Sequence, residues 1–103
     1  MADEYSVVIH PEAMAELREI AAFHLNAVGP ISARRITDKI LRKIDAIAIF
    51  PFANPFVPDD DLRRKGYRMA VCEKYLCFYK VIDKIATVYH IAHGATDYPH
   101  LLT

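Results

Sequence analysis

Three glycines and no tryptophan in 103 residues leave little room for the loops on which several large enzyme classes depend. No Walker loop, dinucleotide glycine pattern or nucleophile elbow is present, which excludes nucleotide and acyl-transfer chemistry built on those motifs. Two cysteines, Cys72 and Cys77, make no disulfide framework. Net charge is missing as well: 13 basic residues balance 13 acidic ones. A dedicated nucleic-acid binder shows a domain pI above about 9, because each neutralised phosphate takes a Lys or Arg. No apolar run approaches the roughly 20 residues of a membrane span. The opening Met1-Ala2-Asp3-Glu4 is acidic where a secretory leader is basic. These absences lead to the expectation of a soluble, cytoplasmic protein with reduced thiols.

What is present suffices for one core. The hydrophobic fraction is 53% and the charged fraction 25%, and residues 1–103 are expected to form a single domain. Tyr5–His10 reads as a first strand. Pro11 fits the first turn of a helix, and Ala13, Leu17, Ile20, Ala21, His24 and Val28 recur on one stripe. Gly29-Pro30 ends it. A second helix is expected from about Ser32 to Ile49, with Ala33, Ile36, Ile40, Ile44 and Ile47 inward. Residues 51–66 read as a long irregular loop holding Asp59-Asp60-Asp61 and Arg63-Arg64-Lys65.

From Tyr67 the hydrophobic period becomes two. Tyr67–Cys72, Tyr75–Ile82 and Ile85–His93 predict an antiparallel meander joined at Glu73-Lys74 and Asp83-Lys84. Strict alternation puts Met69, Val71, Leu76, Phe78, Ile82, Ile85, Tyr89 and Ile91 on one face. Arg68, Ala70, Cys72, Tyr75, Cys77, Tyr79, Val88 and His90 fall on the other. Cys72 then opposes Tyr75 and Cys77 opposes Ala70, so the thiols sit on a diagonal of about 7–8 Å, too far to bridge. Neither face is cleanly polar, whereas a sheet covered on one side alternates apolar and polar. The helices are expected to cover one face, leaving the other, with Tyr75, Tyr79 and Val88, for a partner.

The five histidines do not make a metal site. His90 and His93 stand three apart on a strand and point to opposite faces, and a structural zinc wants four convergent ligands. No metal and no cofactor is expected. His93 is placed to act as a general acid or base with Asp97 orienting it, or else to close the strand end while Thr96 and Asp97 satisfy the turn.

The order strand, helical hairpin, proline-bearing loop and meander resembles the RelE/ParE superfamily of bacterial toxins. The resemblance is carried by Tyr67-Arg68, by Tyr75-Leu76-Cys77-Phe78-Tyr79-Lys80-Val81-Ile82-Asp83, and by Val88-Tyr89-His90-Ile91-Ala92-His93-Gly94-Ala95-Thr96-Asp97-Tyr98. It implies an α+β fold, β-α-α-β-β-β, with the helical hairpin packed on one face of an antiparallel sheet. It also implies a type II toxin–antitoxin module, in which the free toxin arrests growth, serves plasmid stabilization, and is neutralised by a cognate antitoxin.

Within the superfamily, RelE-like members are ribosome-dependent mRNA endoribonucleases that rely on basic residues and a tyrosine. Carried over by position, Arg68 keeps one basic place, but the others fall on Ala70, Leu76, Thr96 and Leu102, which cannot stabilise a phosphorane or move a proton. A histidine base in the closing turn would fall near Ala95. ParE-like members act on DNA gyrase without that set, and the closing His93-Gly94-Ala95-Thr96-Asp97 is similar to theirs. The resemblance therefore favours a ParE-like toxin that binds gyrase. An endoribonuclease using Arg68, His93 and Asp97 is the alternative, as is a degenerate member that only binds antitoxin. Arg68, Tyr75, Tyr79, Val88, His93, Asp97 and Tyr98 are the candidate residues for antitoxin or target binding.

Overall fold

Local signals start and stop most of the elements in the computed structural model, which describes residues 4–102. The first strand, β1, is Ser6–Ile9. His10 then caps the helix α1 (Pro11–Ala27): its Nδ1 accepts the Glu12 N–H at 3.1 Å, and Pro11 fills a position that needs no donor. Gly29, at φ 139°, holds a backbone that side chains rarely adopt and turns the chain into α2 (Pro30–Ile49). Pro30 opens α2 as its first residue, so the helix begins two residues earlier than the apolar stripe suggested.

The segment expected to be an irregular loop contains a helix, α3 (Asp60–Arg64). Asp59 caps it by accepting the Leu62 N–H at 3.0 Å. Acidic residues then occupy its first turn and basic ones its last, in ion pairs Asp60–Arg63 and Asp61–Arg64, as the helix dipole favours. The charge runs thus mark a capped helical turn. The meander follows as β2 (Arg68–Cys72), β3 (Tyr75–Ile82) and β4 (Ile85–His93). Asp83 and Lys84 both have positive φ, the conformation that suits a two-residue hairpin turn. A short helix, α4 (Tyr98–Leu102), ends the described chain.

The sheet order is β1-β4-β3-β2. The three meander strands are antiparallel as expected, but β1 joins β4 in parallel, so the sheet is mixed. The helical hairpin between β1 and the meander makes this possible. α1 runs on to the Tyr75 end of the sheet, where His24 meets Tyr75, and α2 returns to the Tyr79 end, where Pro51 meets Tyr79. β2 and β4 therefore start in the direction of β1. Within β4 a bulge shifts the register: Phe78 pairs with His90 and Tyr79 with Val88, leaving Tyr89 without a place in the ladder. One extra residue re-phases the strand. Ile91 therefore joins Val88 on the same face, where strict alternation had separated them.

The choice of face is opposite to the one expected. The helices pack on the face of Ala70, Cys72, Tyr75, Cys77, Tyr79, Ala86 and Val88, through Ala13, Leu17, Ile36, Ile40, Ile44 and Ile47. Small residues on that face, Ala70, Cys77 and Ala86, let two helices approach it closely. The bulkier face, with Phe78, Met69, Leu76 and Tyr89, is covered by the chain's own later segments: Val57, Leu62 and Tyr67 on one side, Tyr98 and Leu102 on the other. Both faces are covered from within. Among the described residues no helix is long and apolar enough to cross a membrane.

Candidate partner-binding groove

Tyr79 and Val88, expected on an open partner surface, are fully buried beneath the helices. The Tyr79 hydroxyl donates to the Pro51 carbonyl at 2.8 Å and accepts from the Asn54 amide at 3.2 Å. Burial pushes its pKa up. Tyr79 is thus an internal post that holds the proline-bearing loop, not a contact for another chain.

Arg68 holds the same loop from the adjacent strand. Its Nη1 donates to the Asn54 carbonyl at 2.8 Å and to the Phe52 carbonyl at 3.4 Å. The guanidinium lies over the rings of Phe56, at 4.0 Å, and Phe52, at 5.2 Å. The guanidinium is thus engaged by carbonyls and aromatic faces of its own chain.

At the other end of β3, Tyr75 is mostly buried but its hydroxyl reaches the helical hairpin. It is hydrogen-bonded to His24 Nε2 at 2.9 Å, and His24 Nδ1 is 3.1 Å from the Ser32 hydroxyl. This chain ties α1, α2 and β3 together where the hairpin turns. His93, paired with Tyr75 across the ladder, sets its ring edge-on at 5.7 Å. Its Nδ1 accepts the Ala95 N–H at 3.0 Å, so the imidazole closes its own turn. The Gly94 N–H donates to the Lys74 carbonyl at 2.7 Å and fastens that turn to the β2–β3 connection. A Cβ at Gly94 would lie 3.4 Å from that carbonyl, at the tight end of ordinary contact.

Asp97 does not orient His93; it pairs with His100 at 3.2 Å on an exposed turn of α4. Tyr98 stacks on Phe78 at 5.0 Å and belongs to the second core. The three catalytic candidates are therefore not assembled. Arg68 pairs with Tyr79 and His93 with Tyr75, four positions apart on β3, or about 13 Å along the strand. Of the remaining RelE-like positions, Ala70 and Leu102 are buried. Burial likewise pushes the Cys77 thiol up to about 12, leaving it inert, and Cys72 is raised in the same way.

What the structure does assemble is a groove between α1, the end of β4 and α4. Its cavity of about 400 Å³ is lined by Glu16, Glu19, Ile20, Phe23, Tyr75, Ile91, Ala92, His93, Thr96 and Leu101. A neighbouring depression shares Phe23, Tyr75 and His93 and extends over His24, Arg35, Glu73 and Lys74. Phe23 is the exposed wall, at 64% accessibility. Glu16 closes the far side by accepting the Ile91 N–H at 2.9 Å and meeting His90 at 3.2 Å. Of the residues expected in a binding site, Tyr75 and His93 lie here. Phe23 and Leu101 escaped notice: Phe23 sits off the predicted stripe of α1, which was the available signal, and Leu101 gave none.

A mixed four-stranded sheet, a helical hairpin on one face and a groove near the hairpin's turn define a small α+β class of protein. Residues 7–98 match the family described as the ParE toxin of the type II toxin–antitoxin system, parDE, and the chain belongs to that family. Among solved structures it is similar to one from the chromosomal ParDE toxin–antitoxin system of P. aeruginosa, with a TM-score of 0.75 and 17% identity. That alignment covers 87% of this chain and 96% of the other. A chain of the RelBE2 toxin–antitoxin complex of Mycobacterium tuberculosis aligns with a TM-score of 0.65 and 15% identity, over 88% of this chain and 99% of that one. No curated protein matches in sequence. The protein is a type II toxin of the ParE/RelE superfamily.

Proposed function

We propose that this toxin stops growth by binding DNA gyrase, not by cutting mRNA on the ribosome. The observation that carries the reading is the use already made of the three groups an RNA-cleaving site would need. Arg68 is held by loop carbonyls and two phenyl rings, His93 by its own turn, and Asp97 by His100. General acid–base catalysis needs its proton donor and acceptor within hydrogen-bond reach of one substrate, and these groups are spread along the sheet. The neutral balance of 13 basic and 13 acidic residues supports the same choice.

The cognate antitoxin seats in the groove of Phe23, Tyr75, His93 and Leu101, an apolar trough with carboxylates on its rim. On this reading the partner contacts Tyr75 and His93, with Phe23 in the part first given to Tyr79 and Val88. Purified toxin added to gyrase and relaxed plasmid is expected to abolish supercoiling. Undiminished supercoiling, together with discrete cuts in a reporter mRNA by primer extension, overturns the gyrase reading. Phe23→Asp, a change at an exposed position, is expected to prevent co-purification with the product of the adjacent antitoxin gene while the toxin stays folded.

A further inference from the structure

The helix α2 turns one row of isoleucines onto the sheet and another pair outward. Ile36, Ile40, Ile44 and Ile47 are buried. Ile31 and Ile49 stand nine residues before and after Ile40, about two and a half turns away, so both lie on the opposite side of the helix. They are 86% and 70% exposed. Val28, exposed as well, lines one shallow depression with Ile31 at the hairpin's turn.

Between these two isoleucines the outward side carries Arg34, Asp38, Arg42 and Asp45, all exposed. A spacing of three and four residues keeps them on that side, and their signs alternate along it. None of the four has an ion-pair partner among the described residues. The neighbouring Arg35 and Lys39 differ, because both reach Glu73 at the end of β2, at 2.7 and 2.9 Å. From the hairpin's turn to the end of α2 the outer side is thus apolar, positive, negative, positive, negative and apolar.

We infer that this side of α2 is the contact through which two copies of the chain associate, their helices lying antiparallel and centred on Ile40. Reversed in that register, the row is its own complement. Ile31 meets the partner's Ile49, Arg34 lies beside the partner's Asp45, and Asp38 faces the partner's Arg42. A two-fold axis repeats each contact, as an isologous interface requires. Parallel helices would instead set Arg34 on Arg34 and Asp38 on Asp38, and like charges repel. A nucleic acid would satisfy the arginines and leave both aspartates facing phosphates. A partner surface of one sign would repel half of the row; alternating charge with apolar ends fits all of it, and a second copy supplies that pattern. One pair of helices is a small interface, so the association is weak and screened by salt. None of these six residues lines the groove of Phe23, Tyr75, His93 and Leu101, so the pair leaves both grooves open. The inference is independent of the toxin's target.

The test is sedimentation equilibrium of the full toxin without antitoxin. Monomer is expected at about 10 µM and mostly dimer at about 1 mM, as suits a small interface. The dimer fraction should fall as salt is raised from about 0.05 to about 0.5 M. Arg34→Glu with Arg42→Glu makes the row acidic throughout, and Asp38→Lys with Asp45→Lys makes it basic throughout. Each double variant alone is expected to associate at least about tenfold more weakly, and an equimolar mixture of the two at least as tightly as the unaltered chain. If a reversed variant does not fold, cross-linking carries the test. Ile31→Cys mixed with Ile49→Cys should form disulfide dimers about tenfold faster than either alone, because the native Cys72 and Cys77 are buried. A toxin that stays monomeric at about 1 mM overturns the proposal. Reversed variants that dimerise like the unaltered chain place the contact elsewhere and overturn it too. So does a mixture of the two that fails to associate, or cysteine variants that cross-link no faster together than apart.

Discussion

The two faces of the sheet are filled by different kinds of chain. On one, two long helices bring four isoleucines, Ile36, Ile40, Ile44 and Ile47, onto small and medium residues of the strands. On the other, a loop with a five-residue helix and a C-terminal helix of the same length close over Phe78. The first core is set by periodic patterns, and its helices gain from cooperative hydrogen bonding along their length. The second depends on tethers: Asp59 capping α3, Arg68 and Tyr79 holding residues 51–54, and Tyr98 stacked on Phe78. The comparison separates a frame from a cover.

The largest effects should separate the two. Ile40→Ala leaves a cavity between the helices and the sheet and is expected to lower global stability by about 3–4 kcal/mol, measured by urea unfolding. Leu62→Ala, also in a fully buried site, should cost about 2 kcal/mol, because a short helix can settle into the space. Equal losses from the two variants would mean that the cover is as rigid as the frame. Next come the tethers. Arg68→Ala removes two carbonyl contacts and two ring contacts, all partly exposed, and is expected to cost about 1–2 kcal/mol. Tyr79→Phe should cost about 1 kcal/mol. Both should speed proteolysis between residues 51 and 58 more than elsewhere. A uniform increase in cleavage across the chain would break the distinction.

The smallest effect concerns acid. Arg35 and Lys39 hold the Glu73 carboxyl down from 4.5 to about 2. A depressed folded-state pKa stabilises the protein above the unfolded-state value, and that contribution is lost as pH falls from about 4.5 towards 2. Glu73→Gln should flatten this part of the stability curve and leave pH 7–9 unaltered in shape. The turn is exposed, so the effect should shrink as salt is raised. An unchanged acid limb in the variant would show that the three-group cluster over β2 does not form in solution.

How much of this was legible depends on range. The bounds of β3 and β4 follow from a period of two interrupted by Asp83-Lys84, and the buried isoleucines of α2 follow from a period of three and four. The helix α3 was legible too, in an N-capping Asp59 with acidic residues before basic ones, but its length of five residues hid it among prolines. The candidate site was legible only in part. Tyr75 and His93 reach the groove, whereas Tyr79 and Val88 lie in the core because the helices took the opposite face.

The amino-acid sequence alone determined the four strands and two long helices, the meander's pairing and the membership in a toxin superfamily, since each rests on residues near one another in the chain or on a recognisable run of them. Tertiary structure alone decided the parallel seat of β1, the bulge at Tyr89 and the face that the helices cover. Those outcomes are settled by close packing between segments far apart in the chain. An alternating strand offers two apolar faces of similar hydrophobicity, and only the fit of Ala70, Cys77 and Ala86 against two helices chooses between them.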